Sequence, residues 1–225
     1  MRFQVRPLRN TLVAAALTLT FCAVLALTVA PARADTALFA GGCFWCVESD
    51  MDQVEGVTAT VSGYAGGTSE NPTYRDYSKS GHREVVEITY DPAKVSYAEL
   101  VDIFLHSVDV TDAGGQFCDR GRSYSTAIYT LNEEQARKAA AVKAKAEKEL
   151  GSTIVTPVEG AAKFWPAEGY HQDYYLSDKR TLTRFGYITR ADAYKNYRKA
   201  CGRDATVRAV WGKSAYKGIA GHEGS

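Results

Sequence analysis

Thr36 to Glu48 reads TALFAGGCFWCVE, and the organisation of the chain follows from it. A short apolar run ends at Gly41-Gly42, two cysteines bracket Phe44 and Trp45, and helix-compatible polar residues follow from Glu48. That pattern predicts strand, tight turn, helix, with Cys43 at the helix start. Free backbone N–H groups and the positive end of the helix dipole favour a thiolate there, the nucleophilic form of cysteine. Taken alone, Cys43 and Cys46 fit redox catalysis, a structural disulfide or half of a zinc site.

Upstream, Arg2, Arg6 and Arg9 precede a predominantly apolar, uncharged run from Thr11 to Ala30, and Ala32-Arg33-Ala34 offers a small-x-small cleavage site. Met1 to Ala34 is therefore expected to be a secretory signal peptide, with an uncleaved membrane anchor as the alternative because the apolar run approaches spanning length. Cys22 follows the bulky Phe21, unlike the small residue of a lipobox, and reads as apolar filler. Cleavage places the protein outside the cytoplasm, in the periplasm. It leaves 23 basic against 26 acidic side chains, a net charge of −3, which points to neither nucleic acid nor an anionic membrane surface. Residues 35–212 suffice for one domain with a sizeable core, and 213–225 reads as a flexible tail. A domain of that size has no need of disulfide staples, so redox work is the better use for Cys43, Cys46, Cys118 and Cys201.

Downstream, VTATVSGY (57–64) and EVVEITY (84–90) read as strands separated by a long polar loop, and long ordered loops are usually functional. Ser96-x-x-Glu99 is a capping box ahead of a helix over 97–107. A glycine-rich loop over 111–122 leads into a strand at 125–130. Residues 133–150 predict a surface helix closed by Gly151, followed by a strand at 154–158. A short helix is expected around His171 and another near 191–199. The element order predicts a single α+β domain with a mixed β-sheet flanked by helices. Neither glycine pair has the GxGxxG spacing of a dinucleotide site.

Seven blocks in order, GGCFW (41–45), GYAGG (63–67), NPTYRD (71–76), GHxE (81–84), YDP (90–92), DxG with a following tyrosine (119–124) and YHQDYY (170–175), resemble the A-type peptide methionine sulfoxide reductases. The resemblance implies a ferredoxin-like two-layer arrangement and reduction of methionine S-sulfoxide, peptide-bound or free, in repair of oxidised exported proteins. It makes Cys43 the nucleophile that attacks sulfur and becomes a sulfenic acid. Phe44 and Trp45 become the pocket for the substrate methyl group, and Glu84 the acid that protonates the sulfoxide oxygen. Tyr74 and Tyr124 become donors to that oxygen, with Asp119 a further polar residue. A sulfoxide oxygen leaves poorly unless protonated, and a carboxyl beside Phe44 and Trp45 would have its pKa raised by desolvation. No bound cofactor is implied, but an external thiol reductant is, a thioredoxin-like protein or dithiothreitol. Export requires that reductant to be exported too. The protein is expected to act as a monomer.

The chain departs from the commonest family pattern at Cys46, where many members have glycine, in Ser123-Tyr124-Ser125-Thr126, and in the terminal ACGRD (200–204). The resolving thiol stays open, with Cys201 first, then Cys46, then Cys118. Two rival readings remain, a thioredoxin-like disulfide oxidoreductase and a binding module stapled by the four cysteines through disulfides or zinc.

Overall fold

The computed structural model describes Met1 and residues 34–222; the expected signal segment lies outside the described residues but for its two end residues. Residues 37–40 are all buried, because β1 (Asp35–Ala40) runs through the middle of the sheet with neighbours on both sides, and a strand in that position carries an unbroken apolar run. The six-stranded sheet adds β2 (Val57–Ala65), β3 (Arg83–Tyr90), β6 (Ala127–Tyr129), β7 (Val158–Glu159) and β8 (Trp165–Pro166) in the order β7-β6-β1-β3-β2-β8. Every pairing is antiparallel except β6 with β7, so the sheet is mixed. Two short strands, β4 (Gly115–Gln116) and β5 (Asp119–Arg120), form a separate ribbon in the glycine-rich loop.

Helix α1 (Phe44–Met51) leaves the turn after β1, and α2 (Tyr97–Leu105) stacks Phe104 on Phe39 at 4.7 Å. The Ser96–Glu99 capping box is formed in both directions. Helix α3 (Glu133–Leu150) matches its predicted span, capped by Asn132 and ended by Gly151 at φ +70°; it is anchored through Gln135, Ala139 and Ala146.

Several expectations are corrected. Pro157 has no N–H to give a ladder, so regular pairing starts at Val158 and the strand expected over 154–158 shrinks to two residues. Around His171 the chain makes turns, and a 3₁₀ turn follows at Tyr174–Leu176. A surface hairpin, β9 (Arg180–Thr183) with β10 (Gly186–Thr189), precedes α4 (Arg190–Ala200), and α5 (Arg203–Trp211) follows it. Residues 213–222, the described part of the segment read as a flexible tail, pack against the domain: Tyr216 and Ile219 are buried, and the Tyr216 hydroxyl donates to Asp204 at 2.8 Å.

The two C-terminal helices are tied to α1 by charge. Asp50, fully buried, meets Arg198 Nη1 at 2.8 Å and Arg203 Nη2 at 3.6 Å. Arg203 also donates to the carbonyls of Gly41 (3.2 Å) and Ser107 (3.0 Å), clamping the turn before α1. Removing the shared carboxylate leaves buried Arg203 with carbonyl acceptors in place of a counter-ion and Arg198 with Asp204 as its remaining carboxylate, so Asp50→Ala is expected to lose about 3–5 kcal/mol in urea unfolding; a loss under about 1 kcal/mol would contradict this clamp.

Candidate active site

The turn from β1 into α1 builds the centre of the site. Gly42 sits at φ +84°, and a Cβ there would lie 2.6 Å from that of Gln116, so the tight turn requires glycine. Cys43 is the N-cap of α1, as its sequence position predicts, and Phe44 is the first helical residue. The Phe44 N–H, one of the donors a helix start leaves free, donates to Glu84 Oε2 at 2.9 Å. Glu84 belongs to β3, and only 2 % of its surface is exposed.

A cleft of about 410 Å³ lies over this turn. It is lined by Cys43, Phe44, Trp45, Tyr74, Glu84, Asp119 and Tyr124, all the predicted nucleophile, acid and substrate-binding positions, together with Cys118 and Cys201. Trp45 stacks on Tyr174 with ring centroids 3.8 Å apart, and Phe44 packs on His171 at 5.0 Å. The floor beside Cys43 is therefore aromatic, while the wall at Glu84 carries hydroxyl groups. Tyr74 is held by its backbone N–H donating to Glu168 at 3.0 Å.

Burial raises Glu84 to about 8, against the hydrogen bonds from Phe44 and Tyr77. At neutral pH it is mostly a protonated acid in an apolar setting. Burial also pushes Tyr124 up to about 12, so it stays a neutral donor, and raises Asp119. Tyr77 is a neighbour the sequence reading missed. Its buried hydroxyl donates to Glu84 Oε1 at 2.8 Å and lies 3.2 Å from the Tyr124 hydroxyl. A tyrosine in a polar loop carries no periodic signal; its position within NPTYRDYSKSGHRE, seven residues before Glu84, was the available clue.

The four cysteines divide into two pairs. Cys118 and Cys201 form a disulfide, and Cys43 and Cys46 are free. Cys201, favoured as the resolving thiol, is thus bonded to the third candidate, Cys118. The Cys43 thiol is pushed up, first by its hydrogen bond with Cys46, then by burial and by the negative charge of Cys46, Glu84 and Asp119. Cys46 is lowered by the same hydrogen bond and, against its burial, by the cations Arg203 and Arg198. The first proton lost from the pair therefore leaves from Cys46, although the helix start had pointed to a Cys43 thiolate. Cys118, Asp119 and Cys201 place ligand-type atoms within 4.8 Å of one another, but the disulfide occupies both sulfurs.

Residues 35–211 match the family described as peptide methionine sulfoxide reductase. The chain is 59 % identical over 192 residues to "Peptide methionine sulfoxide reductase MsrA 2" of Rhizobium meliloti (strain 1021), covering 84 % of this chain and 91 % of the relative. It is 42 % identical over 208 residues to a protein of the same description from Caulobacter vibrioides (strain ATCC 19089 / CIP 103742 / CB 15), covering 91 % and 100 %. Among solved structures it is similar to methionine sulfoxide reductase A of Corynebacterium diphtheriae, with 31 % identity, TM-score 0.60, and coverage of 66 % of this chain and 76 % of that one. It also shares its fold with reduced Mxr1 of Saccharomyces cerevisiae, at 24 % identity, TM-score 0.61, and coverage of 71 % and 94 %.

Glu84 binds its proton more tightly folded than unfolded, so it contributes stability below about pH 4.5 that is lost as pH rises through about 8. Infrared difference spectra of the protein minus Glu84→Gln are expected to show a protonated carboxyl band at pH 7 that disappears through about pH 8. Tyr77→Phe should shift that loss to higher pH, because the Tyr77 hydrogen bond favours the carboxylate. A band lost near pH 4.5 would contradict the assignment.

Proposed function

Because this chain belongs to the peptide methionine sulfoxide reductase family, and is thereby a thiol-dependent oxidoreductase acting on methionine sulfoxide, we propose that Cys43 attacks the sulfur of the S-sulfoxide with Glu84 as the acid. The observation that carries this reading is the buried Glu84 carboxyl held against the Phe44 N–H in the same cleft as Cys43. Phe44 and Trp45 take the substrate methyl group, a small apolar body that buries well against aromatic rings. Tyr74 and Tyr124 bind the S–O oxygen without consuming the acid's proton.

Once the Cys43–Cys46 pair has lost one proton, the remaining one passes to Cys46 while the Cys43 sulfur bonds to the substrate sulfur. Glu84 protonates the oxygen. Oxygen passes to Cys43, the methionine sulfide leaves, and Cys43 is a sulfenic acid. Tyr77 has one hydroxyl proton: it accepts from protonated Glu84 while donating to Tyr124, and it donates to Glu84 once the proton is gone. That reversal lets Tyr124 help return a proton to Glu84.

Cys46 resolves the sulfenic acid. It is a free thiol one helical turn from Cys43, whereas Cys201 and Cys118 are consumed by each other. Attack by Cys46 forms a Cys43–Cys46 disulfide and releases water. A dithiol of thioredoxin type then reduces it by exchange, with dithiothreitol able to substitute. The basic, apolar leader expected over residues 1–34 supports export to the periplasm, where an exported reductant serves a monomeric enzyme that repairs oxidised exported proteins.

With dithiothreitol, the protein is expected to reduce S- but not R-sulfoxides and to lose all turnover in Cys43→Ser; no S turnover, or an active Cys43→Ser, would overturn the proposal. Mass spectrometry after a single turnover without reductant should find a Cys43–Cys46 peptide with Cys118–Cys201 intact, and Cys46→Ser should retain methionine release while accumulating the sulfenic acid. A Cys43–Cys201 peptide would restore Cys201 as the resolving residue.

A further inference from the structure

The β9–β10 hairpin stands beside the catalytic cleft, and Thr181, Leu182 and Thr183 of β9 border it along with Cys43 and Glu84. Thr181 and Thr183 are half-buried, while Leu182 is 81 % exposed. Since side chains alternate along a strand, Leu182 turns its side chain to solvent, opposite to Thr181 and Thr183, while the residue still borders the cleft.

The direction of that backbone follows from the ladder. The hairpin register pairs Thr183 with Gly186, Leu182 with Tyr187, Thr181 with Ile188 and Arg180 with Thr189, without a shift. Next along the same register, Arg190 N–H donates to the Lys179 carbonyl at 2.9 Å. Hydrogen-bonded and non-bonded pairs alternate in an antiparallel ladder, so 179/190, 181/188 and 183/186 are the bonded pairs. Arg180 and Leu182 therefore aim their N–H and C=O groups away from β10. Among the described residues β9 pairs with no other strand, and the Leu182 N–H and C=O have no hydrogen-bond partner.

We propose that this open edge of β9 is a substrate-docking edge, on which an extended stretch of oxidised polypeptide pairs its main chain with Leu182 and thereby presents its methionine sulfoxide to Cys43. An unpaired N–H and C=O on a strand are the two groups an extended peptide can satisfy without regard to its sequence. The edge is continuous with the cleft that holds the sulfoxide, so its occupant is the chain carrying that sulfoxide. Sequence-independent pairing suits a repair enzyme whose clients share only one modified side chain. A free amino acid is too short to use the edge, so the contact separates peptide-bound from free substrate. The inference rests on the proposed function, as the substrate class of that same cleft.

The test measures binding of a fluorescently labelled, methionine-sulfoxide-containing peptide to protein carrying Cys43→Ser, which cannot turn it over. Leu182→Pro removes one edge donor but no hairpin bond, and is expected to weaken binding about tenfold; Leu182→Ala, which keeps the N–H, should change it less than twofold. Methylating backbone nitrogens of the peptide on either side of the sulfoxide should weaken binding to the Leu182 protein similarly at one position. Undiminished binding by Leu182→Pro, or of every N-methylated peptide, would overturn the docking edge. In protein with Cys43 present, Leu182→Pro should lower kcat/KM for peptide-bound methionine sulfoxide about tenfold more than for free methionine sulfoxide. An equal loss on free and peptide substrates would overturn the docking edge, whereas no turnover of either sulfoxide by the unsubstituted protein would overturn the proposed function.

Discussion

The hydrogen bond from the Phe44 N–H to Glu84 is the contact on which the site depends. It joins the first residue of α1 to the central strand β3, so the sulfur at the helix cap and the acid on the sheet have a fixed relation. The same bond opposes burial in setting the acidity of Glu84. A carboxyl this deep without any donor would be a weaker acid still, and one in water would already be ionised at neutral pH. The turn that positions the nucleophile thus also tunes the acid. Arg203 braces that turn from the far side through the Gly41 carbonyl.

The buried cations have a second consequence. Arg198 and Arg203 are needed to neutralise Asp50, yet they also lie near Cys46 and favour its thiolate. Glu84 and Asp119 act in the opposite direction on Cys43. The CxxC pair is therefore polarised by its surroundings, with negative charge drawn to the inner sulfur and the proton left on the outer one.

Much of this was legible in the sequence where local chemistry decides structure. Asn132, the Ala/Lys/Glu-rich run and Gly151 fix α3 by propensity and caps, and the apolar run before Gly41-Gly42 fixes β1 and the turn. The site positions came from the succession of motifs, which the resemblance could order but spacing alone could not join. What stayed hidden depends on long-range pairing. Cys118 and Cys201 are 83 residues apart, and a count of four cysteines does not select their partner. Tyr77 touches Glu84 only because the long loop folds back over β3. The β9–β10 hairpin and α5 lie in a basic, aromatic stretch with weak periodicity, and the terminal segment is held by the particular contacts of Tyr216 and Ile219 with the domain.

The central claim is that a buried, protonated Glu84 supplies the proton that lets the sulfoxide oxygen leave. The most direct test is the pH dependence of single-turnover sulfoxide reduction, followed as methionine release, in the unsubstituted protein and in Glu84→Gln. The rate should fall as pH rises through about 8, and Glu84→Gln should be slower by about 10²–10⁴-fold, the usual contribution of a general acid, without that descending limb. A Glu84→Gln protein of near-normal rate, or one that keeps the same descending limb, would contradict the account.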